Sequence, residues 1–243
     1  MKRALIILAA STLLACAGCN HRQAKVVPIQ AKAYGVALVT SSGDKQLGTP
    51  SSLLPQPVVV EVNDADGNGV QGALVKISGT SGVQFEPAEG LTDADGLFTT
   101  HVKLGNTDGR YELTAVSADK AGKQLKVSLV EYAAAYEQRL GYELNAKYCS
   151  RCHNPDSTVT QVSNYANLAV DPHRLSDGAD LNKLTDAELT AIIQHGGPAL
   201  NRSALMPPYG RTLSKADIQA LVSYIRLIAE PPYAPAGVVY EKH

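Results

Sequence analysis

Cys149-Ser150-Arg151-Cys152-His153 is the stretch on which the reading of this chain turns. Two cysteines three residues apart, followed at once by histidine, form the attachment pattern for a c-type haem. The spacing has a chemical reason. Both thiols must reach the vinyl groups on one edge of a porphyrin, and the next residue must turn its imidazole under the ring to bind iron. With 4 Cys and 6 His in 243 residues, chance supplies the pattern roughly 0.002 times per chain. A redox-active Cys-x-x-Cys wants a βαβ setting, whereas the flanks here are helical in pattern. A zinc site wants two more ligands at metal spacing. Cys16 and Cys19 lie too near the N-terminus to supply them.

Outward from the motif, the pattern is helical. Tyr136, Leu140, Leu144 and Tyr148 recur every fourth residue and make one stripe of a helix over 133–148 that delivers Cys149. Asn154-Pro155 stops it. Residues 156–182 are polar and turn-rich, a long loop able to wrap a haem edge. Thr185-Asp186-Ala187-Glu188 is a capping box opening a helix that ends at Gly196-Gly197-Pro198. Ser214 to Asp217 caps a second helix, with Ile218, Leu221, Val222, Ile225 and Ile228 on its core face. The sixth iron ligand is approached by elimination. Met1 leaves with the leader, so Met206 is the one Met of the mature chain, and it sits in a loop before Pro207-Pro208. His195 and His173 compete with it. A second histidine gives a lower potential, Met a higher one.

Upstream, residues 34–131 change period. Tyr34–Val39, Val58–Val62, Ala73–Ile77, Leu97–Leu104, Arg110–Val116 and Gln124–Val130 are short apolar runs separated by Gly, Asp, Asn and Pro. Val58, Val60 and Val62 fall on one face, as do Leu125, Val127 and Leu129. This predicts an antiparallel sandwich. Asp64-Ala65-Asp66-Gly67-Asn68-Gly69 matches the first half of a calcium loop, but Val75 stands where the bidentate Glu belongs. A tight Asx turn is the better reading. Asp93-Ala94-Asp95-Gly96 is another such turn, and His101 is a strand residue rather than a ligand.

The N-terminus joins a basic Met1-Lys2-Arg3 to an apolar run, Ala4–Leu14, too short to span a bilayer. This is a secretory signal over 1–15. Leu13-Leu14-Ala15-Cys16 resembles a bacterial lipobox, which implies cleavage before Cys16 and acylation of Cys16. Cys19 is the second choice, and Ala17 after Cys16 favours the outer membrane. Residues 16–33 are then a lipidated tether, whose polar stretch 20–33 reaches about 40–45 Å when extended. With Cys16 acylated and two cysteines on haem, no disulfide framework remains, although the compartment is oxidising.

About 225 mature residues suffice for two domains. Charge is nearly balanced, with 22 basic and 23 acidic residues, so no basic patch points to nucleic acid. No nucleophile–base constellation is visible, and no small-molecule substrate is expected.

Residues 132–231 resemble class I cytochrome c domains. The matching stretches are Gly141-Tyr142-Glu143-Leu144, Tyr148 to His153, Leu184 to Leu189, Ile193 to Gly197, Met206-Pro207-Pro208-Tyr209-Gly210 and Leu213 to Ile225. The resemblance implies Cys149 and Cys152 as thioether anchors, His153 as proximal ligand and Met206 as distal ligand of one covalent haem c. It also implies a crossing of first and last helices at Gly141 and Tyr224, and it places His195 outside the ligand position. Asn145 and Asn154 depart from the aromatic and the Gly common there. Tyr209, Arg202 and Arg211 are near the propionates by this resemblance but are read first as solvated. Residues 34–131 resemble bacterial Ig-like domains through Val60 to Val70, Gly72-Ala73-Leu74-Val75, Thr92 to Gly96 and Gly109-Arg110-Tyr111. The expectation is therefore a multidomain chain, an all-β Ig-like sandwich followed by an all-α monohaem cytochrome c domain, with a tail at 232–243. It is expected to be exported, lipid-anchored and not an enzyme, passing electrons between a redox donor and acceptor. Two alternatives stand beside this: a haem sensor or peroxidase-like enzyme with a displaceable Met, and an adhesion or assembly module carrying a haem domain.

Overall fold

The computed structural model describes residues 29–157 and 162–234. The expected signal, Cys16, the tether as far as residue 28 and the tail from residue 235 lie outside the described residues.

Period-two patterning builds two sheets. One has the order β1–β3–β7–β5, from β1 (Ala37–Ser42), β3 (Val58–Asn63), β7 (Leu97–Lys103) and β5 (Gln84–Glu86). The other has the order β2–β9–β8–β4–β6, from β2 (Leu47–Gly48), β9 (Gln124–Ala133), β8 (Gly109–Ala118), β4 (Leu74–Gly79) and β6 (Glu89–Leu91). All pairings are antiparallel except β2 with β9. Val58, Val60 and Val62 of β3 face Val75, Leu113, Ala115 and Leu129 of the other sheet in one buried core. Each such Val or Leu side chain contributes about 1.5–3 kcal/mol by leaving water.

The Asx-rich turns are what the pattern predicts. Asp64 Oδ1 accepts the N–H groups of Asp66 and Asn68, both at 2.9 Å. Asp93 does the same for Asp95 and Leu97, and Asp119 for Ala121 and Lys123. The Asp64 carboxylate is consumed by its own turn, and the Asn68 N–H leads the bonds that hold its pKa low.

The helical half contains α1 (Tyr136–Tyr148), α2 (Ser150–His153), α3 (Gly178–Leu181), α4 (Asp186–His195) and α5 (Lys215–Ile228), with 3-10 turns at Tyr165–Asn167 and Gly197–Leu200. Both predicted capping boxes form: Thr185 Oγ1 accepts from Glu188 N–H, and Ser214 Oγ from Asp217 N–H. Leu181, Leu189, Ile193, Ile218, Leu221 and Ile225 make a second core. Arg226 fastens the end of α5 to α3 and α4. Its Nε donates to Asp186 Oδ1 at 2.9 Å and its Nη atoms to the carbonyls of Leu181 and Leu184.

Three local expectations need correction. The helix predicted from residue 133 starts at Tyr136, because β9 stays paired with β8 through Ala133 and buries Glu131, Tyr132 and Ala133. The border between the halves thus falls after 131. Tyr136 heads the predicted stripe yet is 83% exposed, since α1 buries Gly141 against α5. The loop over 156–182 is not wholly irregular, as it contains a 3-10 turn and α3.

Candidate functional site

The site grows from the end of α1. The Cys149 N–H closes the helix on the Asn145 carbonyl at 2.9 Å. The chain then turns at once into α2, where Cys152 and His153 both donate to the Cys149 carbonyl at 3.0 Å. This tight turn brings Cys149, Cys152 and His153 to the wall of one cavity of about 480 Å³. Met206 lines the same cavity, so all four described residues singled out in the sequence border a single space. Leucine and isoleucine from α3, α4 and α5 complete it. A volume of this order with mostly apolar walls suits a cofactor.

The Met206 loop is pinned from several sides. Gly196 ends α4 at φ +84°, which a side chain rarely adopts. The next residue, Gly197, donates to the Met206 carbonyl at 3.1 Å. Tyr209 and Gly210 donate back to the carbonyls of Ile193 and Gln194 at 3.0 and 2.9 Å. The Tyr209 hydroxyl donates to the Tyr148 carbonyl at 2.9 Å, and the two rings meet edge to face at 6.0 Å. One tyrosine therefore ties the Met206 loop to the residue preceding the Cys-x-x-Cys-His motif.

His153 carries a partner that no side-chain pattern announces. Its Nδ1 donates to the backbone carbonyl of His173 at 2.7 Å. That bond fixes the ring tautomer and leaves Nε2 for a ligand, the usual outer support of a metal-bound imidazole. Burial pushes the His153 pKa down, favouring the neutral ring that can ligate. Of the other two histidine candidates, His173 lines the same cavity and His195 does not. The imidazole of His173 lies 3.8 and 3.7 Å from Asp177 and Asp180, and His195 is exposed and absent from the cavity wall.

Burial pushes the Cys149 thiol up to about 12. A dithiol oxidoreductase needs a lowered thiol pKa instead. Among the described residues, the one cluster with metal-ligand spacing is His173, Asp177 and Asp180, which contains neither cysteine. Both competitors of a haem reading thus lose their support. Arg202 and Lys183 also line the cavity and supply cations of the kind propionates need, whereas Arg211 does not line it. Asn154 has φ −106°, an ordinary backbone that makes no demand for glycine. Its side chain accepts from Asp156 N–H at 3.1 Å. The donor set and the apolar walls fit a covalently held haem.

Residues 137–225 match the family model described as cytochrome c oxidase, cbb3-type, subunit III. This helical region is a cytochrome c domain. A cytochrome c domain implies covalent haem and electron transfer with redox partners. The β-sandwich before it resembles Ig-like domains. Among solved structures, a domain fragment of intimin is similar at 16% identity over 42% of this chain and 50% of its own, with a TM-score of 0.31. Invasin, described as a bacterial integrin-binding protein, is similar at 21% identity over 43% of this chain and 21% of its own, with a TM-score of 0.32. The chain spans half or less of the length of these two structures. No curated protein matches the chain significantly. Among the described residues, no helix is long and apolar enough to cross a membrane.

Proposed function

We propose that this protein is an exported, membrane-anchored monohaem cytochrome that carries single electrons between redox proteins. The observation that carries the reading is the meeting of Cys149, Cys152, His153 and Met206 around one cavity. Bound haem supplies the one-electron Fe(III)/Fe(II) couple. The chain's own groups do the rest. Cys149 and Cys152 hold the ring by thioethers, so it is not lost on cycling. His153 Nε2 would be the iron ligand on one side, the ring kept neutral by burial and oriented by the His173 carbonyl. Met206 would be the second iron ligand, which would raise the potential relative to a second histidine. The apolar wall from α3, α4 and α5 would keep water from the ring, and Arg202 and Lys183 line the same cavity and would supply cations for the propionates. With both His153 and Met206 on the iron, no coordination site would be left for a substrate.

The leader over 1–15 and the lipobox at Leu13-Leu14-Ala15-Cys16 support export and acylation at Cys16. Covalent haem attachment outside the cytoplasm agrees with that route. Ala17 after Cys16 supports the outer membrane as the address.

A potentiometric titration with optical spectra of the purified, lipid-free protein tests the central claim. One haem per chain, a low-spin spectrum with the Met–His signature and a single one-electron step are expected. A high-spin spectrum, or rapid binding of CO to the reduced native protein, would instead favour a sensor or peroxidase-like role.

A further inference from the structure

Glu230, just beyond α5, touches both halves of the molecule through different atoms. Its carboxylate meets the sandwich: Oε2 lies 2.9 Å from Lys45 Nζ, and Oε1 lies 3.4 Å from Arg110 Nη2. Its backbone meets the haem loop: the N–H donates to the Ser176 carbonyl at 2.8 Å, and the carbonyl accepts from Gly178 N–H at 3.0 Å. Glu230 thereby forms an isolated parallel bridge with Asp177. The next residue continues the grip, since Asn182 Nδ2 donates to the Pro231 carbonyl at 2.9 Å. Three residues upstream of Ser176 lies His173, whose carbonyl holds His153 Nδ1.

Arg110 gives this contact weight. It is mostly buried, its guanidinium lies 5.9 Å from the Tyr132 ring centre, and its Nε and Nη1 have no hydrogen-bond partner among the described residues. Glu230 is one of two carboxylates near it, and the other, Glu112, lies 3.8 Å away and is itself largely exposed. A buried guanidinium with unmade bonds holds tightly to the carboxylate it reaches.

We propose that Glu230 is a positioning residue that couples the seating of the β-sandwich to the loop whose His173 carbonyl orients His153. The sandwich is then part of the support of the proximal ligand and not only a spacer. This rests on His153 being the haem ligand.

The test uses the full-length protein with haem attached, as wild type, Glu230→Gln, Lys45→Ala and the double variant. Amide hydrogen exchange of residues 177, 178 and 230 and the midpoint potential are both measured. Each single change is expected to speed exchange about two- to fivefold, the scale of a partly exposed ion pair. The double variant should exchange no faster than Glu230→Gln alone, because Glu230→Gln already removes the ion pair that Lys45→Ala removes. The potential should rise, since a looser Nδ1–H bond makes His153 a weaker donor to iron. Exchange equal to wild type in all variants overturns the proposal. Faster exchange with an unmoved potential also overturns it, because the loop would then loosen without reaching His153. Failure of the haem reading is seen separately, as a wild-type protein without a low-spin haem spectrum.

Discussion

Gly141 of α1 sits so close to the Ala220 carbonyl of α5 that a methyl group on its Cα would collide with that oxygen. The obstacle is backbone, which cannot swing aside as a side chain can. Gly141→Ala should therefore cost about 1–3 kcal/mol, the usual scale of overpacking. Chemical denaturation followed by helix signal measures it. A variant as stable as wild type would mean that α1 and α5 do not cross here. The Cys-x-x-Cys-His turn continues directly from α1, and α5 lines the cavity through Leu221 and Ile225, so haem incorporation should fall with stability.

Met206→Ala should leave the haem attached, because the thioethers are untouched, but it removes the distal ligand. The spectrum should lose its low-spin Met signature, the potential should drop, and CO should bind the reduced protein quickly. His195→Ala, at an exposed residue outside the cavity, should change none of these. An unaltered spectrum in Met206→Ala would end the ligand assignment.

Tyr209→Phe removes the hydrogen bond to the Tyr148 carbonyl while keeping the ring contact. The expected loss of stability is about 0.5–1.5 kcal/mol. Its effect should be concentrated in the Met206 loop, seen as a faster exchange of the Tyr209 and Gly210 amides relative to those of α5. Uniform destabilisation would show that the tyrosine acts only as core.

Glu131 makes the sandwich sensitive to pH. It is fully buried on β9, with Oε2 accepting from Gln46 N–H at 2.8 Å and Oε1 unpartnered among the described residues. Burial is the main cause that raises its pKa from 4.5 to about 8, with the Asp44 charge adding to it. The sign follows from proton counting. Below 4.5 both folded and unfolded states are protonated and Glu131 adds no pH slope. Between 4.5 and about 8 the unfolded chain releases the proton that the folded one keeps, so stability falls as pH rises. Glu131→Gln keeps an oxygen for Gln46 and lacks the charge. Its denaturation midpoint should fall less than that of wild type between pH 5 and pH 8. Parallel pH profiles would contradict this.

Cys16→Ser should release the protein from membranes into the soluble exported fraction, with its haem content unchanged. Detergent phase partitioning of cell extracts reports the outcome. Persistent membrane association would point to another anchor, Cys19 among the possibilities.

Much of this molecule is legible in the sequence because repeated local patterns encode it. The alternation Val58, Val60, Val62 and the two capping boxes at Thr185 and Ser214 each restate one period or one spacing several times. What escaped has no such repetition. β2, β5 and β6 hold two or three residues each, too few for a period to show. The end of β9 reads as helical because Tyr132, Ala133 and Ala134 suit a helix, while ten pairings with β8 hold it as strand. The acceptor for His153 is a backbone carbonyl, a group every residue owns, so side-chain chemistry cannot mark it. The Glu230 contacts join residues 185 and 120 positions apart and rest on single charged side chains, which leave no pattern.

The junction between the two halves carries a last consequence. β9 is paired through Ala133 and α1 begins at Tyr136, so two residues connect them, about 7 Å of chain at most. Ala134, one of the two, is itself buried. A cytochrome hung on a long linker gives up rotational freedom each time it meets a partner. Here that entropy is already lost on folding, and an encounter need only align one body with another. Each encounter then costs less ordering, so a smaller patch of contacts suffices for a productive meeting.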